Sequence, residues 1–213
     1  MRIPILYSFR RCPYAIRARM ALHYNEIVYE HREILLKNRP QKLYDISSKG
    51  TVPVLDLNGE NIIDESLDIM KWALNKNNNQ EWYVDNLKLQ DILIIENDSN
   101  FKKWLDLYKY HTRYPEFTQE YYRGKCKKII ENYEKKLNSS RYLISSKESL
   151  SDIAIFPFIR QFANVELSRF KKEFPKLSEW LNYFIESDLF NRIMYKFEEW
   201  DQVDAGVIIN YSK

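Results

Sequence analysis

One cysteine stands where a thiol gains reactivity. The run from Arg10 to Ala15, Arg-Arg-Cys-Pro-Tyr-Ala, lies between a strand-like segment and a helix-prone one. Proline is favoured in the first turn of a helix, because its missing N–H would be unpaired there anyway. Cys12 is therefore expected at or beside the N-cap, where the helix dipole and open N–H groups stabilise an anion. Thiols so placed have pKa values of roughly 3.5–7.5 in place of about 8.5, which favours a reactive thiol over a small buried hydrophobe.

The second cysteine of a dithiol oxidoreductase is absent from this motif. The position two residues after Pro13 holds Ala15, and the other cysteine, Cys126, lies 114 positions from Cys12. A mixed disulfide at Cys12 must therefore be resolved by a second thiol molecule. Cys126 follows a helical pattern beside lysines, and we interpret it as an ordinary helix residue. The cysteine spacing fits no zinc site, so no metal is predicted.

Two further motifs stand at turns. In Val52-Pro53 the proline cannot donate to a β ladder, so it belongs at a strand start, an edge or a bulge, and the bond is a candidate for the cis form. The backbone of Val52 could then pair with a peptide-like ligand. Ser66 is expected as a helix N-cap whose open N–H groups suit a carboxylate, and Glu65 could pair with an ammonium group. Taken alone, each motif also fits a purely structural role.

The elements that position these motifs alternate between strand and helix. Asn58-Gly59 favours a type I′ hairpin, and the flanking segments predict a small α/β domain over residues 1–75. We predict strands at 3–7, 27–34, 51–55 and 60–63, and helices at 13–24 and from Ser66 onward.

A polar, turn-prone stretch, 76–83, is predicted to be a linker, and residues 84–213 follow it with a helical pattern throughout. Ser149 and Asp152 match a capping box, with Asp in place of the usual Glu, before another helix. We predict an all-helical second domain with helices at 101–108, 122–137, 175–185 and 189–200.

Composition narrows the function classes. The 213 residues contain 33 Lys and Arg against 30 Asp and Glu, and a net charge of +3 is too small to indicate nucleic-acid binding. No window approaches the roughly 20 apolar residues of a membrane span, and the first apolar run is too short for a signal peptide. With two cysteines, the chain is expected in a reducing, cytoplasmic compartment.

Taken together, the motifs resemble one family over the whole chain. Cys-Pro-Tyr-Ala after the first strand, Thr-Val-Pro before the hairpin, Asp-Glu-Ser before a helix and the segment Ser149–Phe158 resemble the cytosolic glutathione transferases. A cysteine in place of a catalytic Tyr or Ser makes the chain most similar to omega-type and bacterial omega-like members. The resemblance implies a thioredoxin-like α/β domain that binds glutathione, an all-α helical bundle domain, and a homodimer.

The resemblance also implies site residues. Cys12 would face the glutathione sulfur, Val52 would pair with the cysteinyl backbone, and Glu65 with Ser66 would hold the γ-glutamyl end. Arg39 stands where omega members have a lysine, and its forked geometry differs. Implied glutathione-binding positions are Leu36, Arg39, Val52, Pro53, Glu65 and Ser66. Implied acceptor-pocket positions are Tyr14, Trp104, Tyr108 and His111, although the helical spacing of the last three fits a plain core face equally well.

The implied activity is thiol transfer of the thioltransferase or dehydroascorbate-reductase type. The Cys12 thiolate would attack a disulfide or glutathione adduct of a small-molecule substrate, and a second glutathione would release it. The alternatives are conjugation of glutathione to electrophiles and a non-catalytic binding module of the same fold. The cysteine favours thiol transfer, and the Cys-Pro motif argues against the binding module. Glutathione as co-substrate is the one cofactor expected.

Overall fold

The computed structural model of the protein describes residues 3–77, 81–83 and 86–211, which form two compact units. The first unit comprises the described residues up to 77 together with those from 188 onward, and the second comprises 81–187. Within the predicted linker, residues 78–80 lie outside the described residues. In the described part of the chain, no helix has both the length and the apolar character that a membrane span requires.

A five-stranded mixed sheet organises the first unit. Its strands lie in the order β4-β3-β1-β2-β5, with β1 and β2 parallel and the other neighbours antiparallel. The strands are β1 (Ile5–Ser8), β2 (Tyr29–Glu33), β3 (Val54–Asp56), β4 (Ile62–Ile63) and β5 (Val207–Ile209). The helices between them are α1 (Pro13–Tyr24), α2 (Gln41–Ile46) and α3 (Ser66–Lys76).

The α/β order predicted for the first domain is confirmed, and α1 covers the predicted residues 13–24. The helix α2 was not predicted, because it has six residues of which only Leu43 is buried, too few for a helical periodicity to register. β3 begins at Val54 and not at residue 51, because Pro53 has no N–H to donate to the ladder.

The turn between β3 and β4 has Asn58-Gly59 at its centre. Both residues have positive φ, 63° and 79°, as a type I′ turn requires. The amide of Glu60 donates to the carbonyl of Leu57 at 3.3 Å, and the amide of Gly59 donates to a carboxylate oxygen of Asp56 at 2.6 Å. The hairpin prediction is therefore confirmed.

Helices fill the second unit. They are α4 (Leu87–Glu96), α5 (Lys102–Lys109), α6 (Gln119–Leu137), α7 (Leu150–Ala163), α8 (Leu167–Glu173) and α9 (Pro175–Ile185). A π-helical turn, Asn97–Phe101, joins α4 to α5. The described residues of this unit contain no strand, which agrees with the predicted helical second domain.

Ser149 and Asp152 form a capping box at the start of α7. The amide and the hydroxyl of Ser149 donate to Oδ2 of Asp152 at 3.0 and 2.5 Å. Oδ1 of the same carboxylate accepts from the amide of Leu143 and from the indole of Trp180, both at 2.9 Å. Asp152 is fully buried, so this cap also ties the preceding loop to α9.

The chain from residue 188 onward departs from the predicted all-helical domain. The helix α10 (Asp188–Ile193) ends well before residue 200, so the helix predicted at 189–200 is wrong in its second half. The amide of Trp200 donates to the carbonyl of Glu33 at 2.8 Å, and its indole joins the buried core of the first unit. Beyond it, β5 pairs with β2. Pairing of this kind covers a strand edge that would otherwise be open, and a three-residue strand has no periodicity to reveal it.

Gly206 allows the segment before β5 to lie close to β2. A Cβ added there would stand 2.3 Å from the carbonyl oxygen of His31. The amide of Gly206 donates to Oε1 of Glu30 at 2.8 Å, and the same oxygen accepts from Arg32 at 2.6 Å. The guanidinium of Arg32 in turn lies 4.1 Å from the ring centroid of Trp200. The contact therefore depends on the absence of a side chain.

Gly206→Ala is expected to lower the free energy of unfolding by about 1–3 kcal/mol, because the new methyl group overlaps the β2 backbone. The matched control is Gly124→Ala in α6, where nothing lies within 4 Å of an added Cβ. That change should stabilise the protein by about 0.5–1 kcal/mol. Urea unfolding measures both, and an unaltered Gly206→Ala protein would contradict the close approach.

Glu148 is expected to make stability depend on pH. Burial, followed by the charge of Asp152, raises the pKa of Glu148 from 4.5 to about 7. Between these values the folded state binds the proton more tightly than the unfolded state, so stability falls as pH rises from about 4.5 to about 7. Glu148→Gln should therefore raise the thermal midpoint at pH 8 and leave it unchanged near pH 4. Glu131→Gln on α6, whose side chain is 45% exposed, is the control that should keep the wild-type slope.

Candidate active site

Cys12 is the N-cap residue of α1, as its place before Pro13 predicts. Its amide donates to the carbonyl of Phe9 at 3.0 Å, and its carbonyl accepts the amide of Ile16 at 2.9 Å. The side chain does not cap the helix; the half-buried thiol donates to the carbonyl of Val52, with Sγ 3.6 Å from the oxygen. The sulfur thus lies at the positive end of a 12-residue helix, where a thiolate is favoured.

The loop before Cys12 is basic and is anchored to β2. Arg11 is exposed, with its guanidinium carbon 5.8 Å from the ring centroid of Phe9. The amide of Arg10 donates to Oε1 of Glu33 at 2.6 Å, while Oε2 lies 3.1 Å from Nε2 of His31. Burial lowers the pKa of His31, so its ring is neutral at pH 7. Glu33 therefore holds the loop through the amide of Arg10.

Val52 and Pro53 lie beside the thiol. The peptide bond between them is cis, the form for which their context made them a candidate. Both side chains are buried, and Val52 belongs to the same core as Tyr7 and Val54. The structure thus brings the Val52 carbonyl and the Cys12 thiol together, two of the positions singled out in the sequence.

Glu65, and not Ser66, is the N-cap of α3, so the predicted cap is wrong by one residue. The Ser66 hydroxyl is directed elsewhere: it is buried and accepts from Nε of Arg17 at 3.0 Å. A hydroxyl that accepts one hydrogen bond still has its own proton to donate. Ser66 therefore offers a donor at the first turn of α3, backed by a buried cation.

Lys49 faces the acidic residues before α3. Its ammonium lies 2.5 Å from Oε1 of Glu65 and 3.0 Å from Oδ1 of Asp64. The hydrogen bond from Lys49 lowers the pKa of Asp64, which also accepts from the hydroxyl of Ser47 at 2.8 Å. Exposed ion pairs of this kind contribute little stability. Glu65 can therefore exchange Lys49 for another cation at small cost.

Leu36 and Arg39 lie in the exposed turn between β2 and α2. Nη1 of Arg39 is 3.4 Å from the hydroxyl of Tyr44 on α2. The Tyr44 ring lies against Gly50, where an added Cβ would stand 2.2 Å from a ring carbon. Both side chains are accessible, and their role in binding stays a prediction.

The three predicted acceptor-pocket residues of the second unit have different surroundings. Tyr108 is 1% exposed and donates to Oε2 of Glu166 at 2.9 Å, and burial raises its pKa well above the usual value. Trp104 is half-buried, with its indole N–H 3.1 Å from Oδ1 of Asn100, and half-buried His111 opens a 3₁₀ turn. Tyr108 fits the core-face interpretation, whereas Trp104 and His111 keep exposed surface.

Cys126 is fully buried in α6, and burial raises its pKa to about 12. A thiolate is therefore strongly disfavoured there, which agrees with its interpretation as an ordinary helix residue. In the described ranges, no group of three or more His, Cys, Asp and Glu side chains is placed to hold a metal ion.

Sequence reasoning missed Lys49 and two buried arginines of α1. Arg17 and Arg19 are 2% and 1% exposed. The guanidinium carbon of Arg17 lies 5.0 Å from the ring centroid of Tyr14, which is half-buried. A signal was present, because residues two apart point to nearly opposite sides of a helix, so both arginines cannot face solvent on an otherwise buried helix.

Two family models match the chain. They are the Glutathione S-transferase N-terminal domain over residues 6–81 and the Glutathione S-transferase C-terminal domain over residues 97–188. The chain belongs to the glutathione S-transferase family. The α/β domain with a mixed sheet and the helical domain described above are the glutathione transferase fold.

Relatives and solved structures extend this match. Glutathione S-transferase omega-1 of Mus musculus is 25% identical over 188 residues, which cover 83% of this chain and 74% of the relative. Glutathione S-transferase L3 of Arabidopsis thaliana is 28% identical over 200 residues, or 86% and 78% of the two chains. A glutathione transferase from Phanerochaete chrysosporium, solved in complex with oxidized glutathione, superposes with a TM-score of 0.77 at 18% identity, covering 89% and 94%.

Proposed function

We propose that this glutathione S-transferase catalyses glutathione-dependent thiol transfer, with Cys12 as the nucleophile. The observation that carries the proposal is the Cys12 thiol at the N-cap of α1, not used as a cap and accessible from solvent. Ala15 stands where a resolving cysteine would be, so glutathione must serve as the second thiol. The similarity to omega-1 supports an omega-like activity, and glutathione transferases of the same fold solved with oxidized glutathione support glutathione as ligand.

The reaction proceeds by two thiol–disulfide exchanges. The Cys12 thiolate attacks the glutathionyl sulfur of a mixed disulfide RS–SG, so that a Cys12–glutathione disulfide forms and RS⁻ leaves and takes up a proton. The thiolate of a second glutathione, whose proton passes to water, then attacks this disulfide. Glutathione disulfide leaves and the Cys12 thiolate is restored. The acceptor is reduced, and the reducing equivalents come from glutathione.

The γ-glutamyl end and the central cysteinyl residue of glutathione have candidate partners in the first unit. The Ser66 hydroxyl and the first turn of α3, with Arg17 behind them, suit the carboxylate of the γ-glutamyl end. Glu65 suits the ammonium group once Lys49 moves away. The backbone of Val52, next to the thiol, suits the cysteinyl amide.

The remaining predicted features complete the proposal. Pro53, Leu36 and Arg39 are kept as glutathione-binding positions, and Trp104 and His111 as acceptor-side positions. The homodimer stays a prediction from the family resemblance, and the cytoplasmic location stays a prediction from the cysteine content.

Incubation with oxidised glutathione is expected to add one glutathione to the protein at Cys12, and excess reduced glutathione is expected to remove it. Intact mass spectrometry with peptide mapping measures both steps. Cys12→Ser should abolish the adduct, whereas the control Cys126→Ser should keep it, because Cys126 is buried. The absence of an adduct near pH 7 would overturn thiol transfer and leave conjugation or simple binding.

Ser66→Ala is expected to weaken glutathione binding by about 10- to 150-fold, because a hydrogen bond to a charged group is worth roughly 1.5–3 kcal/mol. Calorimetric titration of reduced glutathione in a Cys12→Ser background measures the Kd without chemistry. Ser99→Ala is the control, since Ser99 lies in the second unit and its hydroxyl donates to the Ile95 carbonyl of the preceding helix, α4. Equal affinities of the two variants would remove Ser66 from the binding site.

A further inference from the structure

Arg19 is a buried cation behind the loop that leads to Cys12. Its Nη1 donates to the hydroxyl of Ser8 at 2.5 Å, and its Nη2 donates to the carbonyl of Arg10 at 2.8 Å. Nη1 also lies 3.4 Å from the carbonyl oxygen of Phe9. One guanidinium therefore binds three consecutive residues of the loop, and its planar fork of donors suits such a task better than a lysine would.

The Phe9 carbonyl joins Arg19 directly to the thiol residue. It accepts the amide of Cys12 at 3.0 Å in addition to the guanidinium. A second anchor acts on the same loop, because the amide of Arg10 donates to Glu33 at 2.6 Å. The path of the chain into α1, and with it the place of the Cys12 sulfur, is set by these bonds.

The hydrogen-bond partners of Arg19 are neutral. Beyond the loop, Nε donates to the carbonyl of Ile193 at 3.1 Å, and the Met194 sulfur lies 3.9 Å from Nη2. Arg123 in the second unit is buried to the same degree but contacts the carboxylate of Glu173 at 3.2 Å. A buried cation bonded only to dipoles is weakly screened and acts strongly on nearby ionisable groups.

The titratable groups coupled to Arg19 are Tyr29, His31 and Glu33 on β2, and Cys12 and Arg10 in the loop. Burial lowers the pKa of Arg19; Tyr29, Glu33 and Cys12 raise it, and Arg10 lowers it. From the last residue of α10 and the residue after it, Arg19 receives the carbonyl of Ile193 and the thioether of Met194. A guanidinium stays protonated in proteins, and electrostatic coupling is reciprocal, so a cation favoured by the Cys12 thiolate favours that thiolate in return.

We propose that Arg19 is the positioning residue of the Cys12 thiolate: it holds the Ser8–Arg10 loop and supplies, behind that loop, a positive charge to which no carboxylate is hydrogen-bonded. The inference rests on the proposed function, in which Cys12 is the nucleophile. It adds a requirement that the helix dipole alone does not impose, namely a positive charge and a planar set of N–H donors at position 19.

The test is the pH dependence of Cys12 alkylation by iodoacetamide between about pH 4 and 10, with the site verified by peptide mapping. Arg19→Gln is expected to move the midpoint upward by about one pH unit, which slows alkylation close to tenfold below the midpoint. The plateau rate at high pH should change little. Arg123→Gln, the loss of a buried arginine in the other unit, is the control that should leave the profile unchanged.

An unchanged midpoint in folded Arg19→Gln, judged by near-ultraviolet circular dichroism, would overturn the proposal. Should that variant not fold, Arg19→Lys decides. Lysine keeps the positive charge but loses the planar set of donors. The alkylation midpoint should therefore stay within a few tenths of a pH unit of wild type. Backbone amide hydrogen exchange in residues 8–12 should become several-fold faster, because the loop is held less firmly. A midpoint raised by a full unit, or unchanged exchange, would overturn the proposal.

Alkylation needs no glutathione, so the two proposals can fail separately. If substitution of Arg19 moves the alkylation midpoint but the protein forms no glutathione adduct, thiol transfer is contradicted and the inference about Arg19 is supported. If the adduct forms normally but substitution of Arg19 leaves the alkylation midpoint unchanged, the inference is contradicted and thiol transfer is supported.

Discussion

The hydrogen bond from the Cys12 amide to the Phe9 carbonyl, 3.0 Å long, is the interaction on which the site depends. It closes the turn between β1 and α1 and places Cys12 at the N-cap of the helix. The sheet, the core around Tyr7 and Val54, and the anchors at Glu33 and Arg19 all keep that turn in place. We expect a change at any of them to alter the thiol, because polar networks in a low-dielectric interior act as a unit.

The two cysteines show how far surroundings decide the chemistry of one residue type. Cys12 and Cys126 have the same side chain and lie on equally regular helices. Cys12 lies at a helix N-terminus with basic neighbours and partial access to solvent, whereas Cys126 lies in mid-helix with its sulfur fully buried. Burial raises the pKa of Cys126 to about 12, so its thiolate is strongly disfavoured.

Local signals predicted the local structure. Pro13 marked the start of α1 and Asn58-Gly59 marked the hairpin, because each depends on backbone preferences that a few neighbours determine. Ser149 and Asp152 marked the start of α7 by their spacing alone. Ser66 was misplaced by one residue because its hydroxyl bonds Arg17, 49 positions away, and not its own helix.

Contacts between distant parts of the chain could not be predicted, because sequence patterns report only the preferences of neighbouring residues. Arg19 reaches Ile193, and β5 pairs with β2 from the far end of the described sequence. Neither the arginine nor the three-residue strand carries a periodicity that a sequence pattern could reveal. The anchors of the site were therefore less predictable than the thiol that they hold.

The place of β5 in the sheet also bears on how the chain folds during synthesis. β2 is complete at residue 33, but its partner strand begins at residue 207. At a ribosomal rate of roughly 5–20 residues per second, the edge of β2 stays open for on the order of 10–30 s. During that time the gap in the core that Trp200 fills is open as well. The first unit is thus the first to be started and the last to be finished. Until β5 has been synthesised, the open edge of β2 must be protected from pairing with other chains.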